Sequence, residues 1–171
     1  MAPKLYYFDL YGRAEPIRWA FTLAGVEFED VRVTGDSWKA LKEEDNKLEF
    51  GQIPMLELDD GTKLCQGDAI LGYLNATLCK DGLQQSDDAM AHYNAQCTTI
   101  LHGDDFVTKH VVGAFFKPDA EKAAAFASCL TEKMPDYLKH MERRLPAEGF
   151  LLGAKMSTYD IKIGVFYAML A

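Results

Sequence analysis

Two short stretches set polar side chains at places where a backbone binds anions. The first is Tyr7-Phe8-Asp9-Leu10-Tyr11-Gly12-Arg13, where an apolar run ends in a glycine turn before a helical pattern. The second is Gln66-Gly67-Asp68, again between an apolar run and a helical pattern. At a strand-to-helix corner the first helical N–H groups have no intrahelical partner, and the helix dipole is positive there. Both corners therefore suit a carboxylate or another anion. Between them in sequence lies Ile53-Pro54. Proline gives a ladder no donor and belongs at a strand's start or edge. A cis bond there would leave the Ile53 N–H and C=O to pair with an extended peptide ligand, although cis is the minority state of such bonds.

Other chemistries have less support. Cys65, Cys79, Cys97 and Cys129 are scattered, with no C-x-x-C spacing. That argues against a disulfide framework and against a thiol–disulfide oxidoreductase. His92, His102, His110 and His140 show no metal-ligand pattern, so no metal is expected. A net charge of −8, with no run of Lys and Arg, argues against nucleic acid. Met1-Ala2-Pro3-Lys4 leads straight into an apolar run without a secretory pattern, and the ending "IGVFYAMLA" is too short to span a bilayer. The expected setting is the cytoplasm, with no membrane.

The elements that must position the corners follow from periodicity. Residues 4–8 read as an aromatic-rich strand. Residues 14–24 read as a helix, with Pro16 in its first turn, Ile17, Ala20, Phe21 and Ala24 at helical spacing, and Gly25 as its stop. Residues 27–33 alternate as a strand, and 37–46 form a weak helix around Trp38 and Leu41. The stretch "EFGQIPMLELDDGTKLCQGDAILGYL" then gives strand, Asp60-Gly61 turn, strand and helix. The order is β-α-β-α-β-β-α. Residues 80–87 read as a linker, and helices follow over 87–116 and 118–144, where Pro135 is expected to kink or split the second. After a loop over 145–155, Ser157-Thr158-Tyr159-Asp160 opens a last helix in the manner of a capping box. The 171 residues, 49% hydrophobic, suffice for two small cores. The domains expected are an α/β unit over 1–79 and an all-helical unit over 88–171.

At this point the residues carry a resemblance. "YFDLYGRAEPIRWAF" together with "FGQIPMLELDDGTKLCQGDAI" is similar to the cytosolic glutathione transferases. The likeness is greatest to the sigma class, which includes the haematopoietic prostaglandin D synthases and the S-crystallins. It covers essentially the whole chain, is densest over residues 4–74, and returns in "GAKMSTYD". The resemblance implies an α/β thioredoxin-like N-terminal domain followed by an all-α C-terminal domain, and a cis Ile53-Pro54 bond. It implies a cytoplasmic homodimer that detoxifies hydrophobic electrophiles with glutathione as co-substrate.

Residue by residue, the resemblance makes Tyr7 the catalytic tyrosine, whose hydroxyl donates to the glutathione sulfur, and Arg13 its support. Trp38 and Lys42 match a pair that holds the glycine end of glutathione. Gln52, Ile53 and Pro54 match the segment that meets its cysteinyl backbone, and Gln66 and Gly67 the corner for its γ-glutamyl end. Asp105 matches an aspartate that reaches the site of the other subunit. Three departures stand out. Gly67 replaces a serine whose hydroxyl would bind the γ-glutamyl carboxylate. Leu10-Tyr11 replaces small or basic residues beside the electrophile pocket. The helical domain is expected to be truncated relative to the family, leaving Ile163, Phe166, Tyr167 and Leu170 to be covered either by further chain or by another protein. The leading expectation is a glutathione transferase, with prostaglandin-type isomerisation within its range. The alternative is a non-catalytic structural or scaffold subunit of a larger assembly.

Overall fold

The computed structural model describes residues 2–44, 47–48, 51–78, 106–142, 147–151 and 154–170. The strands are β1 (Lys4–Phe8), β2 (Glu29–Val33), β3 (Met55–Glu57) and β4 (Lys63–Cys65). The helices are α1 (Glu15–Ala24), α2 (Gly35–Glu43), α3 (Gly67–Leu78), α4 (Gly113–Phe115), α5 (Asp119–Ser128), α6 (Met134–Glu142) and α7 (Thr158–Leu170). They fall into two compact units, residues 1–85 with 152–171, and residues 86–151.

The first unit is built on one mixed sheet in the order β2-β1-β3-β4. β1 and β2 are parallel, so the chain must cross over between them, and α1 is that crossover. Pro16 lies in the first turn of α1, where its missing N–H costs nothing, and Gly25 ends the helix in the left-handed region. The β3–β4 hairpin turns at Asp60-Gly61, where the Thr62 N–H donates to Asp60 Oδ1 at 2.8 Å. Leu5, Ile17, Phe21, Leu56, Ile70, Leu71 and Leu74 form a fully buried core between the sheet and α1 and α3.

Helix α7 adds Ile161 and Val165 to that same core and packs on α1 and α3. In chain order it follows the helical segment, yet its contacts group it with the α/β unit. Its start is anchored there by polar groups. The Ser157 N–H donates to Asp160 Oδ2 at 2.8 Å and the Asp160 N–H returns to Ser157 Oγ at 3.4 Å, a reciprocal cap of the kind the S-x-x-D pattern suggests. Thr158, fully buried, donates through its hydroxyl to the Leu71 carbonyl of α3 at 3.3 Å and through its N–H to Asn75 Oδ1 at 3.3 Å.

In the second unit the helix expected over 118–144 is split. Residues Cys129–Lys133 open into a wider turn, with the Met134 N–H reaching back five residues to the Cys129 carbonyl. Pro135 follows at once in α6. Its ring would crowd the carbonyl four residues earlier, and the wide turn gives the room. The linker over 80–87 and most of the helix expected over 87–116 lie outside the described residues.

The second face of the sheet carries a small polar cluster. The Tyr6 hydroxyl donates to Glu57 Oε2 at 2.9 Å, and Lys47 Nζ lies 3.6 Å from the same carboxylate. The Tyr6 hydrogen bond, aided by Lys47, holds the Glu57 carboxyl below the usual range, while burial pushes the Tyr6 phenol up. Glu57→Gln is expected to cost about 1 kcal/mol at neutral pH. A depressed folded-state pKa stabilises above the unfolded value and is lost as pH falls through the folded value. Denaturant melts of both forms should therefore differ at neutral pH and converge in strong acid.

Candidate functional site

The sheet register collects the candidate residues at one end of the sheet. Tyr6 pairs with Met55 in antiparallel strands, and Met55 pairs with Cys65 in the same way. One step outward, Tyr7 near the end of β1, Pro54 just before β3 and Gln66 just after β4 therefore lie side by side. Phe8 pairs with Val33 in the parallel strand, so the lead-in to α2 and Trp38 departs at this end too.

Tyr7 faces the core side of the sheet and is buried. Its hydroxyl oxygen accepts the backbone N–H of Arg13 at 3.2 Å. Between them Gly12 takes φ +45°, and a Cβ there would lie 2.7 Å from the Tyr7 hydroxyl and 2.6 Å from Leu10 Cδ1. Only glycine fits, both for its backbone and for its space. Leu10 Cδ1 and the Tyr7 hydroxyl thus both crowd the same position on Gly12. Leu10 and Tyr11 are both exposed, so the corner has an apolar rim.

The other corner meets this one. The Ile53-Pro54 bond is cis. Gln66 has φ +72°, and its Nε2 donates to Gln52 Oε1 at 3.3 Å. A Cβ built on Gly67 would lie 3.5 Å from the Arg13 carbonyl and 3.8 Å from Pro54 Cγ. Residues 13, 54 and 67 are thus neighbours, and a Cβ at position 67 would make only ordinary contacts. Trp38 stands edge-on to Phe8 at 5.3 Å, and Lys42 Nζ lies 5.1 Å above the Trp38 ring. The two corners bring buried Tyr7 together with the exposed Arg13, Gln52 and Gln66, while the exposed Lys42 lies on Trp38 beside Phe8. Asp105 lies outside the described residues.

One residue escapes the sequence reading. Arg18 of α1 is 6% exposed. Its guanidinium pairs with Glu15 at 2.9 Å and Asp30 at 3.1 Å, and donates to the carbonyls of Leu10 at 2.9 Å, Tyr11 at 3.3 Å and Phe8 at 3.5 Å. Its Cζ lies 5.9 Å from the Tyr7 ring centroid. The signal was available: Arg18 is a charge on the apolar stripe of α1, four residues after Ala14 and three before Phe21.

Among the described residues no group of His, Cys, Asp and Glu could hold a metal ion. Among the same residues no helix is long and apolar enough to cross a membrane. Cys65 is half-buried and Cys129 is buried, and burial pushes the Cys129 thiol up. Cys79 and Cys97 lie outside the described residues. The second unit has its own cavity of about 230 Å³, with a mixed wall that includes Lys109, Lys117 and Lys133 beside His110, Cys129 and small residues.

Comparison with known proteins identifies the lineage. The family model for the glutathione S-transferase N-terminal domain matches residues 3–76, and the model for the C-terminal domain matches residues 104–170. Rat glutathione S-transferase alpha-4 is 35% identical over 164 residues, covering 94% of this chain and 70% of the relative. The chain belongs to the glutathione S-transferase family. Chicken hematopoietic prostaglandin D synthase is nearly as similar, at 34% over 157 residues, covering 92% of this chain and 73% of that protein. Among solved structures, the prostaglandin synthase D of Nilaparvata lugens superposes with a TM-score of 0.77 at 30% identity, covering 99% of this chain and 83% of its own. These identities do not separate one glutathione S-transferase class from another. They do match the architecture described above, a thioredoxin-like half followed by a helical one.

The glycine at position 12 gives a direct test of the corner. Gly61 also has positive φ, +84°, but a Cβ there meets nothing within 4 Å. Gly61→Ala should cost about 1–2 kcal/mol for the backbone conformation alone. Gly12→Ala should cost more, because Tyr7 and Leu10 must also move. Chemical denaturation of the two variants measures the difference.

Proposed function

We propose that this glutathione S-transferase joins the thiolate of glutathione to hydrophobic electrophiles. It works as a cytoplasmic, sigma-class-like homodimer, with prostaglandin-type isomerisation within its range. The observation that carries this reading is the buried Tyr7 hydroxyl, its oxygen bonded to the Arg13 N–H. That N–H occupies the phenol's acceptor side and leaves the O–H to donate. A donor aimed at sulfur favours thiolate over thiol and lowers the thiol pKa toward neutrality. The N–H polarises the phenol and strengthens its donation. The thiolate then attacks the electrophilic carbon; the C–S bond forms as the leaving group departs with its electron pair, or as the pair moves onto an acceptor atom in an addition.

The remaining candidates hold the peptide. Gln66 and the N–H groups opening α3 receive the γ-glutamyl end. Gln52, Ile53 and Pro54 pair with the cysteinyl backbone. Trp38 and Lys42 take the glycine carboxylate, and Asp105 serves the site of the other subunit. Leu10 and Tyr11, exposed beside Tyr7, favour an apolar second substrate. A non-catalytic scaffold role draws on the missing hydroxyl at Gly67 and on the altered Leu10-Tyr11. The Tyr7–Arg13 arrangement weighs against it, because a scaffold needs no oriented phenol.

Calorimetric titration of glutathione, with Gln66→Ala as control, tests the site. Binding that the control abolishes supports the reading, and no binding at millimolar glutathione would make the scaffold role the leading one. Tyr7→Phe should reduce turnover strongly while leaving glutathione affinity nearly unchanged; equal turnover would remove Tyr7 from the mechanism. Gly67→Ser should tighten glutathione binding at least about tenfold, since a charge-assisted hydrogen bond contributes about 1.5–3 kcal/mol and a Cβ at this position would make only ordinary contacts.

A further inference from the structure

We propose that Arg18 is a positioning residue for the thiol-ionising step, acting through the loop that presents the Arg13 N–H to Tyr7. This proposal rests on the reading of Tyr7 given above. Three of the acceptors around Arg18 are the carbonyls of Phe8, Leu10 and Tyr11, all within the few residues that separate Tyr7 from Gly12. The guanidinium is itself held from two other directions, by Glu15 on α1 and by both oxygens of Asp30 on β2. Asp30 is in turn paired with Arg32 at 2.7 Å, and Arg32 reaches Asp9 at 3.3 Å. Glu15 also accepts the Trp19 indole N–H at 3.0 Å. The loop is therefore tied to helix and sheet through one buried cation.

The consequence for chemistry is geometric. The Arg13 N–H to Tyr7 contact is a 3.2 Å hydrogen bond, and such bonds weaken steeply with misalignment. Releasing three carbonyls would let the loop move, and Arg18→Met would in addition remove the positive charge 5.9 Å from the Tyr7 ring. Lysine cannot substitute, because one ammonium lacks the planar fork that serves carbonyls and two carboxylates at once. The groups that contact glutathione in the proposed mode, Trp38, Lys42, Gln52 and Gln66, take no hydrogen bond from Arg18. Affinity for the peptide and ionisation of its thiol should therefore separate.

The test measures the ultraviolet absorbance of enzyme-bound glutathione thiolate as a function of pH, together with glutathione affinity, for wild type, Tyr7→Phe, Arg18→Lys and Arg18→Met. Both Arg18 variants are expected to raise the ionisation midpoint by about one pH unit, about tenfold less thiolate at a given pH below it, with glutathione affinity changed less than threefold. Asp30→Asn, which removes one support of the guanidinium, should shift the midpoint the same way by less, and it decides the matter if the Arg18 variants do not fold. Arg18 variants, or Asp30→Asn in their place, that melt earlier but keep the wild-type midpoint would overturn the proposal, provided Tyr7→Phe shifts it. An unshifted midpoint in Tyr7→Phe would instead overturn the reading of Tyr7, and the proposal with it.

Discussion

The antiparallel register of β1, β3 and β4 is the constraint on which the site depends. Side chains in a strand alternate, so a slip of one residue exchanges the two faces of the sheet. With Tyr6 opposite Met55, Tyr7 faces α1 and α3 while Tyr6 joins Glu57 and Lys47 on the other side. A slipped pairing would send Tyr7 to that second face and bring Tyr6 into the core. The hairpin at Asp60-Gly61 pins half of this register, and the crossover through α1 pins β2 beside β1. Three loops then leave the sheet at one end, and the corners meet where Arg13 and Pro54 lie next to Gly67.

The polar interactions differ greatly in what they contribute. Lys4 and Glu29 are paired at 2.8 Å, but both side chains are substantially exposed, and such pairs contribute little. Arg18 is of another kind. A buried cation stripped of partners is costly, and breaking such an arrangement typically destabilises by about 3–5 kcal/mol. The fold satisfies it with two carboxylates and three carbonyls, and so turns a liability of burial into a rigid turn after β1. Hydrogen bonds also fix α7. Ser157, Thr158 and Asn75 are buried and bonded to one another or to the backbone, and the Lys162–Asp68 pair at 2.6 Å joins α7 to the start of α3. These contacts hold a helix late in the sequence against elements formed by its first eighty residues.

Local signals made most of the first unit legible. Strand β1 follows from alternation and aromatic content. Helix α1 follows from its apolar spacing, Pro16 and Gly25, and the cap of α7 from Ser157 and Asp160. The two corners were legible as strand-to-helix turns. Helix α2 begins at Gly35, earlier than periodicity placed it, because Ser37 Oγ accepts the Thr34 N–H at 2.7 Å and sets the start. Pro135 forecast a break in the second unit; the break falls just before it, since the crowding is with the preceding turn. Arg18 was passed over because an arginine in an amphipathic helix is usually solvated, and only its neighbours in space show that it is not.

The sequence by itself determined the types of element, the chemistry on offer at Tyr7, Gln66 and Gly67, and the family to which the chain belongs. Those properties rest on local spacing and on side-chain identity. Tertiary structure decided the rest: that Tyr7 rather than Tyr6 faces the core, that its hydroxyl meets the Arg13 N–H, that Gly67 sits beside Arg13 and Pro54 with room for a Cβ, and that Arg18 bonds the carbonyls of the loop after β1. Each of these is a distance between atoms that no local pattern specifies, set by strand register and by the packing of α1 and α3 on the sheet.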